Sequence, residues 1–214
     1  MYLTRICLNT LDRKVWNLLR DPYHLHAGIM TAFPETKKRK DRNTPSGVLF
    51  RRELQEKNSP IVYVLVQSLM QPDWTHFEYT YGQAVNPDCR PVNPDFMNGQ
   101  IIPFRLRANP VITRNGKRLG LVGEESHREW FGKRAIDNGF AITPDSFRAI
   151  DEGFMQGEKW ENNKKFDLSF RTVLYEGQLQ VTNVDIFLNK GIKFGIGSCK
   201  GLGCGLLSVP YRRK

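Results

Sequence analysis

The chain has 214 residues, 40% of them hydrophobic and 11% aromatic, and carries a formal net charge of +10. That composition excludes a disordered chain and allows one large domain or two of about 100 residues each. The basic excess points away from an enzyme of small metabolites and toward a polyanionic partner, since lysine and arginine release counterions when they neutralise phosphates.

In chain order, MYLTRICLN alternates apolar and polar residues and reads as an opening strand. In RDPYHLHAGIMTAFP, Asp21 is a favourable N-cap, Pro22 suits the first helical position and Pro34 closes the segment. Leu25, Ile29, Ala32 and Phe33 then share one face of this helix, as core packing requires. The charge run TKKRKDR is read as a solvated loop, and GVLFRREL and PIVYVLVQS as two strands. PDWTHF is expected as a short helix and EYTYGQAV as a strand.

The stretch NPDCRPVNPDFMNG, dense in proline, asparagine and aspartate, is expected to be a boundary, with domains at 1–92 and 93–214. Beyond it, QIIPFRLRANPVITRNGKR reads as a long strand or hairpin. Its alternation would project Arg105 and Arg107 from one sheet face. GEESHREWFGKRAIDNG is expected as a helix ending at Gly139 and burying Trp130 and Ile136. FAITPDSFRAID suggests a strand, and FDLSFRTVLYEGQLQVTN two strands turning at Glu176 and Gly177. NVDIFLNKG reads as a short helix with Asn183 as cap, and GLLSVP as the last strand. Each half therefore reads strand, helix, strand, strand, short helix, strand. This is the order of a ferredoxin-like (RRM-like) unit, so the fold class is α+β with two such domains in tandem.

Cys7, Cys89, Cys199 and Cys204 do not show the paired spacing of a secreted disulfide framework. MYLTRICLNT lacks the apolar run of a signal peptide, and no segment approaches membrane-spanning length, so an intracellular, cytoplasmic setting without membrane is expected. No metal and no cofactor is expected. Cys199 and Cys204 have no histidine or second cysteine pair nearby in sequence to complete a zinc site, and no carboxylate cluster of suitable spacing is present. The glycine-rich stretch GIGSCKGLGCG lacks the Gly-Lys-Ser/Thr ending of a P-loop and the third glycine of a dinucleotide loop.

Tyr23 and His26 stand three residues apart on one flank of the first predicted helix, with His24 about 160° away from His26. A histidine with a tyrosine suits RNA cleavage without metal. The imidazole exchanges a proton with a ribose 2′-OH or the leaving 5′-oxygen, and the phenol positions the phosphate. The alternative is a half-exposed helix histidine with no duty. Basic segments at Lys117 and Arg118 and at Lys159, Lys164 and Lys165 (beside Trp160) are candidate RNA contacts or solvated loops. Ile186 to Lys214 holds six Lys or Arg residues and no acid.

Taken together, MYLTRICLN, DPYHLHAGIMTAFP, FRLRANPVITRNGKR, VLYEGQLQV and GIGSCKGLGCGLLSVP resemble, in that order, the CasE-type CRISPR RNA-processing endoribonucleases of the type I-E (Cse) system. The last stretch fits G-h-G-x5-G-h-G, with Gly195, Gly197, Gly203 and Gly205 at the glycine positions. The resemblance spans nearly the whole chain. It implies two ferredoxin-like domains and metal-independent cleavage at the base of a CRISPR repeat stem-loop. The 2′-OH would attack, leaving a 2′,3′-cyclic phosphate and a 5′-OH. It places the catalytic histidine on His26 and the active-site tyrosine on Tyr23. It also implies retention of the cleaved repeat hairpin and assembly with other Cascade subunits. Some relatives carry a lysine or arginine soon after the histidine; here residues 27–33 read AGIMTAF. A cation at the transition state must then come from elsewhere, with Lys200 and the Lys159–Lys165 hairpin as candidates. A non-cutting RNA-hairpin-binding subunit is the rival reading, and a metal-dependent nuclease the third.

Overall fold

The computed structural model describes residues 1–34, 47–161 and 164–211, with residues 159–161 and 164–166 described by backbone alone. The charge run at 36–42 lies outside the described residues. Two compact groupings emerge. One comprises Met1–Val92, Gln156–Leu168 and Gly201–Gly203; the other comprises Asn93–Met155, Ser169–Lys200 and Cys204–Lys214. Among the described residues no helix is long and apolar enough to cross a membrane.

In the first grouping, β1 (Tyr2–Asn9) is followed by two helices, α1 (Arg13–Arg20) and α2 (Pro22–Met30). Then come β2 (Leu49–Arg52), β3 (Ile61–Ser68), α3 (Thr75–Tyr81) and β4 (Val85–Pro91). The strands pair antiparallel in the order β2-β3-β1-β4, the permutation of a ferredoxin-like sheet. Ile6 and Leu8 of β1 and Val62, Val64 and Val66 of β3 face a core completed by Val15, Leu18, Leu25, Ile29 and Phe77. All three helices thus cover one sheet face.

Three features depart from the sequence reading. Helix α1 is an addition to it; Asp12 caps the helix, accepting from the Lys14 and Val15 amides, and Val15, Leu18 and Leu19 are its buried stripe. Residues 78–81 are helical, not strand. Trp74, Phe77 and Tyr81 recur at helical spacing, with ring centroids 5.5 Å and 4.8 Å apart, and that stripe overrides the strand preference of tyrosine and threonine. The first half of the expected boundary is β4, which tolerates Pro87 and Pro91 because among the described residues it is an edge strand paired only with β1.

The second grouping repeats the permutation. Its elements are β5 (Ile101–Ala108), β6 (Val111–Arg114), β7 (Lys117–Gly120), α4 (Glu124–Asp137), β8 (Phe140–Ile142) and β9 (Arg148–Glu161), the ends of β9 and of the following strand from Gln156 to Leu168 falling in the first grouping. Next come β10 (Lys164–Val181), α5 (Val184–Ile186) running into a π-helical turn at Phe187–Ile192, and β11 (Leu207–Ser208). The sheet order is β11-β5-β10-β8, with β9 also on β10. β6 and β7 form a hairpin turning at Asn115 and Gly116, both at positive φ, as a two-residue Asn-Gly turn demands. Asn183 caps α5 through the Ile186 amide.

Two further expectations are corrected here. Ile136 is 76% exposed, because His127, Trp130, Phe131 and Ala135 form the buried stripe of α4 and residue 136 lies one position past it. No turn occurs at Glu176 and Gly177; β10 runs through them. Gly177 is required instead by a close approach: a Cβ there would stand 2.7 Å from the Ser146 carbonyl oxygen, at φ +148°.

Candidate active site

Helix α2 begins at Asp21, whose side chain is buried and spans two segments. Oδ1 accepts from the Tyr23 amide at 2.7 Å, capping the helix. Oδ2 accepts from the Glu158 amide on β9, also at 2.7 Å. This approach fits because residue 157 is glycine; a Cβ there would lie 3.0 Å from Asp21 Oδ1 and 3.2 Å from Pro22 Cγ. The end of β9 is therefore tied to the N-terminus of the helix that carries Tyr23 and His26.

His26 is half-buried on α2, and His24 is exposed. The imidazole stacks on Phe50 of β2, with centroids 6.0 Å apart and planes 19° apart. Gly201 also packs near the ring: a Cβ on Gly201 would sit 3.6 Å from Cε1 and Nε2. Gly203 likewise approaches the Phe50 ring, where a Cβ would reach 3.3 Å. His26 Nδ1 is buried with no hydrogen-bond partner among the described residues. Burial pushes the His26 pKa below its usual 6.5, so the ring is neutral at pH 7. A neutral, half-buried imidazole beside a half-buried tyrosine can accept a proton from an alcohol.

The glycine-rich loop is built on β5. Gly205 donates to the Arg107 carbonyl at 2.8 Å, and Ile196 donates to the Gly205 carbonyl at 2.9 Å. Asn109 Oδ1 accepts from Ser198 Oγ at 3.1 Å, while its Nδ2 donates to the Arg171 carbonyl at 2.7 Å. Gly195, Gly197, Gly203 and Gly205 all have positive φ, between 69° and 89°. FRLRANP and the glycine loop are thus two halves of one hydrogen-bonded assembly. Asn109 is the anchor that sequence reasoning missed, although it stands inside a quoted motif. Burial lowers the Lys200 pKa, and its stem lies against Gly205, where a Cβ would stand 2.9 Å from Lys200 Cγ.

A cleft of about 880 Å³ opens between the β6–β7 hairpin, α4 and this loop. Among the described residues its walls carry Arg118, Lys133, Arg134, Lys190 and Lys200 against a single acid, Asp137, with Trp130 in the lining. Arg118 and Lys200 are candidates from sequence. Lys190 belongs to the acid-free basic stretch from Ile186 to Lys214 without being singled out in it, and Lys133 and Arg134 are not sequence candidates because they lie in a helix of mixed charge. Lys117 pairs in register with Arg114 at the exposed tip of the hairpin.

Arg105 and Arg107 do leave the same face of β5, but toward carboxylates. Arg105 Nε meets Glu176 at 2.5 Å. Arg107 is 7% exposed and bidentate to Glu152, Nε–Oε2 2.6 Å and Nη2–Oε1 2.7 Å. Arg107 is therefore part of the interior. The side chains of Lys159, Lys164 and Lys165 lie outside the described residues; their backbones belong to β9 and β10. Cys204 is fully buried and Cys199 half-buried, and both thiols are free. Among the described residues no three His, Cys, Asp or Glu side chains group to hold a metal ion.

Comparison with known proteins adds four relationships. A family model described as CRISPR associated protein matches residues 1–210. The chain is 30% identical to the CRISPR-associated endoribonuclease Cse3 of Thermus thermophilus, over 98% of this chain and 99% of that one. It is 27% identical to the CRISPR system Cascade subunit CasE of Escherichia coli, over 98% of each. A solved structure of Thermus thermophilus Cse3 bound to an RNA representing a pre-cleavage complex superposes with a TM-score of 0.82 at 30% identity, covering 98% of each chain.

Proposed function

The chain belongs to the CRISPR associated protein family, and on that premise we propose that it is an endoribonuclease that processes CRISPR RNA. The observation that carries the reading is His26: a neutral, half-buried imidazole on α2 with Tyr23 one turn earlier. Support comes from similarity along the full length to proteins named as an endoribonuclease and as a Cascade subunit.

In this reading residues 1–92 form the catalytic domain and 93–214 the RNA-holding domain. The substrate is the stem-loop of a CRISPR repeat in precursor RNA. His26 accepts the proton of the 2′-OH, and the 2′-oxygen attacks the adjacent phosphorus. The P–O5′ bond breaks, the 5′-oxygen leaves as an alcohol by taking a proton from water, and His26 gives the proton it accepted to the hydroxide that remains. The products are a 2′,3′-cyclic phosphate and a 5′-OH, and no metal is required. Tyr23 positions the phosphate, and Lys200, next to Gly201 in the chain, is the candidate for stabilising its charge. The cations of the cleft, with Lys117, Lys159, Lys164 and Lys165, hold the stem through its phosphates. The protein keeps the cleaved hairpin and joins other Cascade subunits in the prokaryotic cytoplasm.

The test is incubation of the purified protein with its cognate repeat hairpin in excess EDTA. Cleavage to cyclic-phosphate ends is expected, blocked both by a 2′-deoxy nucleotide 5′ to the cut and by His26→Ala, with binding retained in each case. Bound but uncut RNA would instead identify a hairpin-holding subunit, and cleavage abolished by EDTA a metal-dependent nuclease.

A further inference from the structure

The carboxylate of Asp21 makes two hydrogen bonds at once, to amides far apart in the chain. One bond is to Tyr23, inside α2; the other is to Glu158, near the end of β9. Helix capping by itself does not call for this arrangement. Asn and Ser cap helices about as well as Asp does, each through a single acceptor. Only a carboxylate offers two acceptor oxygens to two separate N–H donors without presenting a donor of its own. The strand side is equally particular. Gly157 lets the β9 backbone close on Asp21 and Pro22, where any Cβ would crowd both. Asp21 is 6% exposed, so a mismatched donor at this point has no room to turn toward water.

We propose that Asp21 is a positioning residue, the joint that makes the arm formed by the ends of β9 and β10 (residues 156–161 and 164–168) and the His26 helix move as one body. RNA gripped by the arm is thereby registered on Tyr23 and His26. The inference rests on the cleavage function proposed above and deepens it: the arm, whose sequence carries Lys159, Lys164 and Lys165, sets the position of the reacting phosphate through the backbone of α2. A misplacement of about 1 Å from such a joint is enough to slow a reaction about a hundredfold. Binding, spread over many cations, is barely altered.

The experiment compares wild type, Asp21→Asn, Asp21→Ser, Gly157→Ala and the Asp21→Asn/Gly157→Ala double variant. Readouts are thermal melting, equilibrium binding of the cognate repeat hairpin and single-turnover cleavage. Asn and Ser keep the cap but lose the second bond. Both are expected to remain folded, melting no more than about ten degrees below wild type, and to bind within about threefold, while cleaving at least about tenfold more slowly. Gly157→Ala should match them, and the double variant should be no slower than either single one, because all break the same joint. Wild-type cleavage by Asp21→Asn and Asp21→Ser would overturn the proposal and leave Asp21 as a cap. If wild type binds the hairpin without cutting, the cleavage function fails, and amide hydrogen exchange at Glu158 then decides the joint. Protection that rises on RNA binding in wild type but not in Asp21→Asn supports it; the same change in both, or none in either, overturns it.

Discussion

Phe50 lies nearly parallel to the His26 imidazole, with ring centroids 6.0 Å apart, and it is the wall that keeps one face of that ring from water. Burial favours the neutral ring, so the His26 pKa falls below 6.5. If His26 is the base for the 2′-OH, cleavage is constant through neutral pH and declines only below 6.5, where the ring takes a proton. Phe50→Leu hydrates the ring and is expected to move that limb upward toward 6.5. Single-turnover rates between about pH 5 and 8 measure the shift; an unmoved limb would mean that Phe50 does not set the pKa.

The same burial acts on stability. Just below pH 6.5 the unfolded chain protonates this histidine while the folded chain does not, so the unfolded state binds more protons and stability falls as pH drops. His26→Gln abolishes this dependence. Its melting temperature should therefore decline less than that of wild type between pH 6.5 and the lower, folded-state pKa; parallel declines would refute the assignment.

What was legible in the sequence was what local rules determine. Asp21 and Pro22 announce α2, Asn115 and Gly116 announce the β6–β7 turn, and the apolar run of β3 announces a central strand. Helix α1 is hidden because Asp21 ends it and starts the next helix, so one residue carries two signals and the second masks the first. Gly177 reads as a turn because the carbonyl that demands it, at Ser146, is distant in sequence. Arg107 reads as an RNA contact for the same reason: its partner Glu152 lies 45 residues on. That Tyr23 and His26 share a flank of α2 follows from helical spacing, whereas the contacts of Asn109 and Phe50 are tertiary and no local pattern encodes them.

The Arg107–Glu152 pair yields a prediction opposite to that for a phosphate-binding arginine. Removing one partner of a buried, bidentate pair costs about 3–5 kcal/mol, because the other charge stays buried. Arg107→Ala should therefore lower the urea midpoint sharply, and Arg107→Met/Glu152→Leu should recover much of the loss. A normal midpoint for Arg107→Ala, with weakened RNA binding, would return Arg107 to the RNA surface.

The cleft between the β6–β7 hairpin and α4 makes the electrostatic prediction. Each duplex phosphate that the protein ceases to neutralise lowers the slope of log affinity against log salt by about 0.9. Arg118→Ala and Lys190→Ala should each reduce the slope by about that amount and weaken every stem alike, leaving the single-turnover rate of bound RNA unchanged. Unaltered salt slopes for both variants would place the stem elsewhere.

Gly205 and Lys200 offer the sharpest test of the glycine loop. Gly205 sits at φ +89°, and a Cβ would meet Lys200 Cγ at 2.9 Å and the Ile196 carbonyl at 3.1 Å. Gly205→Ala therefore strains the backbone by about 1 kcal/mol or more and displaces the lysine stem. If Lys200 steadies the phosphate charge, Lys200→Ala slows bound RNA by about 10² or more while stability holds. Gly205→Ala should then lose both stability and rate. Gly197→Ala, strained by a similar left-handed φ of +85° but facing Trp130 and Ala108, should lose stability alone. Equal rates for Lys200→Ala and wild type would remove Lys200 from the chemistry and leave the loop as the wall that holds Gly201 against His26.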